Sequence, residues 1–172
     1  MTAFPFRMGA GFAGDVNRTH PASVEPALND ATNPVLLPGL ACVASASGNT
    51  VRQMAAGDTA LTDIWGVLVR AFPTQQVTAT LAYGQVAYGA VAPGTVQPVD
   101  VLRSGYILVP VNGAVVKGGA VYIWVAASAG AHVQGGFESA ATGGSTMTLS
   151  TGRAYWNGPA DSTGIAELAF NV

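Results

Sequence analysis

The alternation of hydrophobic and polar positions along this chain is typical of short β-strands. The densest apolar stretch is residues 105–125, where two runs rich in Val, Ile, Tyr and Trp flank a link containing Asn112-Gly113 and Gly118-Gly119. Such runs favour a pleated surface, and Asn-Gly and Gly-Gly favour tight turns. We therefore predict a strand, a turn, a short bridging strand, a second turn and a strand. Because proline cannot donate to a ladder, Pro110 predicts an edge or a bulge in the first strand.

The same pattern recurs along the rest of the chain. Further strand-like runs lie at residues 35–37, 40–43, 51–54, 65–72, 77–83, 85–90, 99–103, 147–150, 154–156 and 165–172. The last run places Ala166, Leu168, Phe170 and Val172 on one face and Glu167 and Asn171 on the other. A single helical turn at residues 61–64 is the most helix that we expect. About 8–10 short strands separated by Gly and Pro predict an all-β fold, a jelly-roll-like β-sandwich or barrel.

Residues 1–34 differ from the rest of the chain. Glycine and proline recur there with no helical or strand period, so this segment should resist regular structure. It also contains large apolar side chains, which a solvated tail would lack; these are Phe4, Phe6, Met8 and Phe12. We predict an extended N-terminal arm at residues 1–34 and a jelly-roll-like domain at residues 35–172. The arm either docks on a partner, which we favour, or folds back on its own domain.

One motif in the arm imitates a nucleotide site. Residues 9–14 match the dinucleotide-binding pattern G-x-G-x-x-G. That pattern works only between a strand and a helix N-terminus, whose amides meet the pyrophosphate. Here only eight residues precede it, Pro5 among them, and residues 15–21 do not favour a long helix. We therefore predict no nucleotide binding.

The composition points to a surface covered by partners. Hydrophobic residues make up 49% of the chain and charged residues 9%, whereas a typical soluble domain is nearer ~25% charged. A membrane protein would also be poor in charge, but no run approaches the ~18 uninterrupted apolar residues that a spanning helix needs. We therefore expect a low-charge surface that is buried in an assembly, and no membrane.

The charges and the single cysteine exclude further classes. The net charge is −2, with one Lys and six scattered Arg, so the basic patch of a nucleic-acid-binding protein is missing and we predict no direct nucleic-acid contact. Cys42 excludes an internal disulfide, and its neighbours Ala41 and Val43 predict a buried, inert thiol. No apolar signal-peptide segment opens the chain, so we expect it to be made and assembled in a reducing cytoplasm.

No motif suggests catalysis. His20 and His132 lack ligand partners at metal-binding spacings, so we interpret them as solvated or hydrogen-bonded loop residues and predict neither metal nor cofactor. A Ser-His-Asp site built from His132, Asp100 and a serine is possible in space, but no nucleophile-elbow sequence supports it. The acids Asp15, Asp58 and Asp161 are explained by turns. We predict no catalytic residues and no enzyme.

Most of the chain resembles one family. The segments that carry the likeness are residues 4–16, 57–67, 100–107, 117–121, 132–138 and 167–172. Through them the chain is similar to the head cement, or decoration, proteins of tailed bacteriophages, the podovirus structural cement group that includes the jelly-roll cement protein of a Bordetella phage. The resemblance also identifies the glycine pattern at residues 9–14 as part of the arm.

The resemblance implies a function. Such proteins bind the outer face of a shell built from an HK97-fold major capsid protein, often as dimers, and resist the internal DNA pressure. It implies the major capsid protein and neighbouring copies, as a homodimer, as partners, and a location on the outside of the virion. We expect the arm to supply the contact: apolar anchors Phe4, Phe6, Met8 and Phe12, with Arg7 and Arg18 as polar rim or ion-pair partners.

Two alternatives stay open. The chain could be another virion β-protein, a head fibre or tail component, which its position on purified particles would reveal. It could instead be a carbohydrate-binding or hydrolytic jelly roll, which needs exposed aromatic rings beside carboxylates. Trp156, Tyr155 and Asp161 are the only tempting group for that purpose; otherwise Trp156 caps the core before a turn.

Overall fold

The protein is almost entirely β-structure in the computed structural model, which describes residues 10–18, 20–46, 48–58, 60–70 and 96–171. This confirms the predicted all-β class. Within these residues, two single 3₁₀ turns, Leu61–Asp63 and Gly143–Ser145, are the helical elements. No helix in the described ranges is long and apolar enough to cross a membrane. The ten strands are β1 (Ser23–Asn29), β2 (Ala41–Ala44), β3 (Thr50–Gln53), β4 (Ile64–Leu68), β5 (Pro98–Asn112), β6 (Val121–Trp124), β7 (Phe137–Glu138), β8 (Thr146–Leu149), β9 (Ala154–Trp156) and β10 (Ile165–Asn171).

Five strands close a ring. β1 pairs with β3 in parallel, and the antiparallel pairs β3–β2, β2–β4, β4–β5 and β5–β1 complete the circuit. The ring strands contribute to a small core of their own, because successive strand residues point to opposite faces. Cys42 belongs to this small core, whereas its neighbours Ala41 and Val43 belong to the larger one. The members of the small core are Val35, Leu40, Cys42, Val51, Leu68 and Val101.

The 15-residue strand β5 connects the ring to the rest of the sheet. Its first half pairs with β1 and β4, residues 104–110 pair with β10, and its end pairs with β7. β10 then pairs with β9, and β7 is followed by β6 and β8. The larger core draws on β2 and on every strand from β4 to β10, and Trp156 is its largest fully buried side chain. The stretch at residues 105–125 therefore does lie at the centre of the fold.

Details of that stretch differ from the prediction. The two turns form, with Gly113 and Gly118 at φ of 100° and 76°. The bridging strand is wrong, because residues 114–116 lie in no strand. Val115 in this link is buried and Val116 is exposed, while the Gly118 amide donates to the carbonyl of Trp156. The link is thus held by that bond to β9 and by one side chain, not by a ladder.

Pro110 lies at a position of β5 where its missing N–H costs no ladder hydrogen bond. On one side it pairs with Ile165 of β10. On the other side Leu108 donates to the carbonyl of Asp15. Amides of alternate residues point the same way, so the nitrogen of Pro110 faces the side where this pairing has already ended. The predicted edge is therefore real on that one side of the strand.

The expectation that residues 1–34 lack regular structure is wrong for Ser23–Asn29. These residues form β1 and pair with β5 from Pro98 to Ser104. Pro26 fits because the ladder bonds fall on alternate residues: Asn29 donates to Gln97, which turns the nitrogen of Pro26 away from β5. The predicted strands at residues 77–83 and 85–90 lie outside the described residues, as do residues 1–9.

Candidate functional site

The arm residues nearest the domain lie along β5 as an extra, strand-like segment. Gly14 donates to the carbonyl of Leu108 at 2.7 Å, Leu108 donates to Asp15 at 2.9 Å, and Asn17 donates to Tyr106 at 3.1 Å. These bonds cover the side of β5 opposite β10. The described arm residues thus fold back on their own domain, the less favoured of the two alternatives.

Gly14 is the tightest point of this segment. It is buried, with φ of 85°, and a Cβ there would lie 2.6 Å from the Pro38 Cβ and 2.7 Å from the Arg70 amide nitrogen. The Arg70 amide donates to its carbonyl at 2.9 Å. Only glycine combines this backbone conformation with so close an approach. The last glycine of the G-x-G-x-x-G pattern is therefore a packing position, and a β5-paired segment, not a helix, follows it.

Phe12 stands out from the surface just before this point. It is 61% exposed, and the Arg70 guanidinium carbon lies 4.3 Å from its ring centroid. Asp15 organises the turn: it accepts from the Phe12 amide at 3.2 Å and pairs with Arg70 at 3.3 Å. The Arg70 cation lies against one face of the Phe12 ring, and the other face is open. An exposed aromatic fixed in this way can dock on a partner with little loss of side-chain entropy.

Arg18 lies at the other end of the segment and is engaged with its own domain. Its guanidinium carbon is 4.1 Å from the Tyr106 ring centroid, and it pairs with Glu167 at 3.2 Å. Burial acts to raise the pKa of Glu167, but hydrogen bonds from Asn157, Asn17 and Arg18 outweigh it and lower the pKa. Glu167 is therefore a charged anchor that binds the arm to β10.

A second anchor holds the start of the described arm. The Asp161 carboxylate accepts from the Thr163 hydroxyl at 2.7 Å, from the Thr163 and Ile165 amides, and from the Ala10 amide at 2.8 Å. The Thr163 hydroxyl and the Ala10 amide are the main causes that lower the pKa of Asp161. The turn function expected of Asp161 is thus combined with a tie to the arm, 151 residues away in sequence.

The structure locates only part of the predicted contact set. Phe4, Phe6, Arg7 and Met8 lie outside the described residues, and Phe12 and Arg18 lie at opposite ends of the β5-paired segment. The partners Arg70 and Glu167 were not among the predicted contact residues. Arg70 could not have been found by a motif, because 55 residues separate it from Asp15. Glu167 was placed correctly on the outer face of the last strand.

A separate polar cluster surrounds His132. Its ring stacks on Trp124 with centroids 4.1 Å apart, and its Nδ1 lies 2.9 Å from a carboxylate oxygen of buried Glu138. The other Glu138 oxygen accepts from Asn112 at 2.9 Å. This confirms the hydrogen-bonded loop histidine, and its carboxylate partner is Glu138, not Asp100. No group of three His, Cys, Asp or Glu residues suitable for a metal occurs in the described ranges.

The aromatic group considered for carbohydrate binding does not form a groove. None of the Trp156 surface is exposed, and its indole nitrogen donates to the carbonyl of Ala120 at 3.0 Å. Its ring meets Phe137 edge to face, with centroids 6.2 Å apart. Trp156 therefore belongs to the core, as the simpler interpretation held, and it is closed to a sugar.

The family model described as XM1 gp53 minor capsid protein matches residues 1–170. The chain therefore belongs to the XM1 gp53 minor capsid protein family, and it is a capsid-associated structural protein of the phage virion. This agrees with the broad assignment made from the sequence.

A solved structure shares the fold. A chain of "The capsid of Myoviridae Phage XM1" superposes with a TM-score of 0.65 at 16% identity, covering 92% of this chain and 89% of that chain. The matched phage is a myovirus, whereas the resemblance had suggested the podovirus cement group. A comparison with curated protein sequences gives no match.

Proposed function

We propose that this protein is a capsid cement, or decoration, subunit. In this proposal it binds the outer surface of a shell built from an HK97-fold major capsid protein and stabilises the head against the internal DNA pressure. Membership of a minor capsid protein family supports association with the shell. The observation that carries the finer proposal is the arm, whose base is tied to the domain while Phe12 is 61% exposed beside it.

The ties show which described part of the arm is already engaged with its own domain. Residues 10–18 already use their backbone on Asp161 and β5. The remaining apolar residues of the arm, Phe4, Phe6 and Met8, precede that anchored base in the sequence. We propose that they and Phe12 contact the shell, with Arg7 as a polar contact at the rim. Arg18, paired with Glu167, holds the base and adds to the rim through its exposed side.

Weak individual contacts are sufficient for this role. Many copies on a closed shell act together, so each subunit needs only modest affinity. Aromatic anchors commonly dominate such interfaces. The charged fraction of 9% also fits a surface that packs closely against neighbours, because few charges must be desolvated.

The test is removal of residues 1–9, measured by cosedimentation with capsids that lack the protein. The cut stops before Ala10, so the ties to Asp161 and β5 remain. We expect a folded protein with the melting temperature of the full chain that no longer cosediments. Binding at full affinity would refute the arm proposal.

A point variant separates a specific contact made by Phe12 from the general loss of exposed apolar surface. Phe12→Ala should weaken capsid binding about tenfold or more, the usual effect of truncating an aromatic anchor. Val116→Ala is the matched control, because Val116 is 69% exposed in a different part of the molecule. Equal losses in the two variants would show that Phe12 has no specific contact.

A further inference from the structure

Strand β8 has one edge that no other described strand covers. It pairs with β6 only, within the part of the chain that the structure describes. The Val125 amide donates to Ser145 at 2.9 Å, so the ladder bonds to β6 fall on alternate residues from Ser145 through Met147 to Leu149. The N–H and C=O groups of Thr146 and Thr148 therefore point away from β6.

Two other strand edges in the described chain, those of β1 and β9, are protected against pairing with another chain. The side of β1 that faces away from β5 includes Pro26, whose missing N–H discourages pairing with another chain. The outer groups of β9 are occupied, since Trp156 accepts from Gly118 and Ala154 donates to Ser150. β8 has neither kind of protection.

The surroundings of the β8 edge select the kind of partner. Residues 139–152 contain no Asp, Glu, Lys, Arg or Pro. At a two-fold contact every charge lies near its own copy, so an uncharged segment suits contact with itself. A partner recognised through charge would find no complement in this segment.

We propose that β8 pairs antiparallel with β8 of a second copy, about a two-fold axis at Met147. In this register Thr146 of one copy lies opposite Thr148 of the other. Every outward N–H and C=O of these residues then gains a partner, and the threonine side chains form favourable cross-strand pairs. The β7–β6–β8 layer becomes one sheet continuous across both copies. This inference rests on the proposed cement function, for which the resemblance of the sequence implies a homodimer, and it names the surface of that dimer.

Proline at position 148 removes the proposed contact selectively. The nitrogen of residue 148 faces away from β6, so Thr148→Pro costs the monomer no ladder bond. We expect light scattering to give twice the 17.3 kDa chain mass for the unmodified protein and for the control Thr148→Val, and the single mass for Thr148→Pro. Thr148→Lys keeps every backbone group and should also give the single mass, which covers a failure of the proline variant to fold.

A disulfide tests the register. The double variant T146C/T148C places cysteines opposite each other across the axis at about 5.5 Å between Cα atoms, within disulfide reach. It should give a cross-linked dimer on a non-reducing gel. T146C alone should give none, because its two copies lie diagonally, beyond disulfide reach.

Three results would overturn the inference: a single chain mass for the unmodified protein, a double mass that survives both Thr148→Pro and Thr148→Lys, or cross-linking by T146C alone. None of these measurements involves capsids. A chain that dimerises as described but fails to cosediment would leave this inference intact and contradict the proposed function. A chain that cosediments with capsids but does not dimerise as described would contradict this inference and leave the proposed function intact.

Discussion

Replacing Gly14 with alanine tests whether the arm is built into the domain. The new Cβ would lie 2.6 Å from the Pro38 Cβ and 2.7 Å from the Arg70 amide nitrogen. An alanine at φ of 85° costs about 1–2 kcal/mol in backbone strain. Forcing an extra methyl into a packed site costs about 1–3 kcal/mol more. We therefore expect a loss of about 2–5 kcal/mol in the free energy of unfolding.

A second glycine isolates the steric part of this loss. Gly118 has φ of 76°, and nothing lies within 4 Å of the position of its Cβ. Gly118→Ala should therefore cost only the backbone strain, about 1–2 kcal/mol. Guanidinium chloride unfolding of both variants measures the difference. With about 2–4 °C per kcal/mol for a chain of this size, Gly14→Ala should also melt several degrees below Gly118→Ala. Equal unfolding free energies for the two variants would refute the close packing of the arm on Arg70 and Pro38.

Two further outcomes follow from the side chains. Arg52 donates to both oxygens of Asp58 at 2.7 Å and lowers the pKa of Asp58. The stabilisation from this ion pair is therefore complete above the unfolded pKa of about 3.9 and is lost as the pH falls through the lower folded value. Asp58→Asn should cost about 2 kcal/mol at pH 7 and flatten the acid limb of the stability curve. An unchanged acid limb would contradict the ion pair. Burial raises the pKa of Cys42 to about 12, so the thiol should resist iodoacetamide until the protein unfolds, and rapid alkylation of the native protein would contradict its burial.

The arm shows why local pattern was insufficient there. Its glycines and prolines correctly excluded a helix, but β1 formed within it. A strand whose ladder bonds all go to distant residues has no local signal when a proline occupies one of its positions. Pro26 is tolerated only because β5 lies on the side to which Pro26 would not donate. That fact belongs to the register of the two strands and not to the residues themselves.

The residues of the candidate site could likewise be predicted only in part from the sequence. Phe12 and Arg18 were singled out as apolar and cationic residues in an irregular segment, and both are described at the surface of the domain. Their partners Arg70 and Glu167 lie 58 and 149 residues away in sequence. No spacing rule connects such residues, because their separation in space is determined by how β5 and β10 pair.

The chain's sequence alone determined the all-β class, the turns at Gly113 and Gly118, the buried thiol of Cys42 and the two faces of the last strand. These follow from side-chain alternation, from glycine's backbone freedom and from the cost of exposing apolar surface, all of which act locally. Only the tertiary structure decided the closed ring, the place of β1 in it, the ties that hold the arm and the edge of β8 that no described strand covers. Those depend on which backbone groups meet across the sheet, and hydrogen bonds between distant segments leave no periodic mark in the sequence.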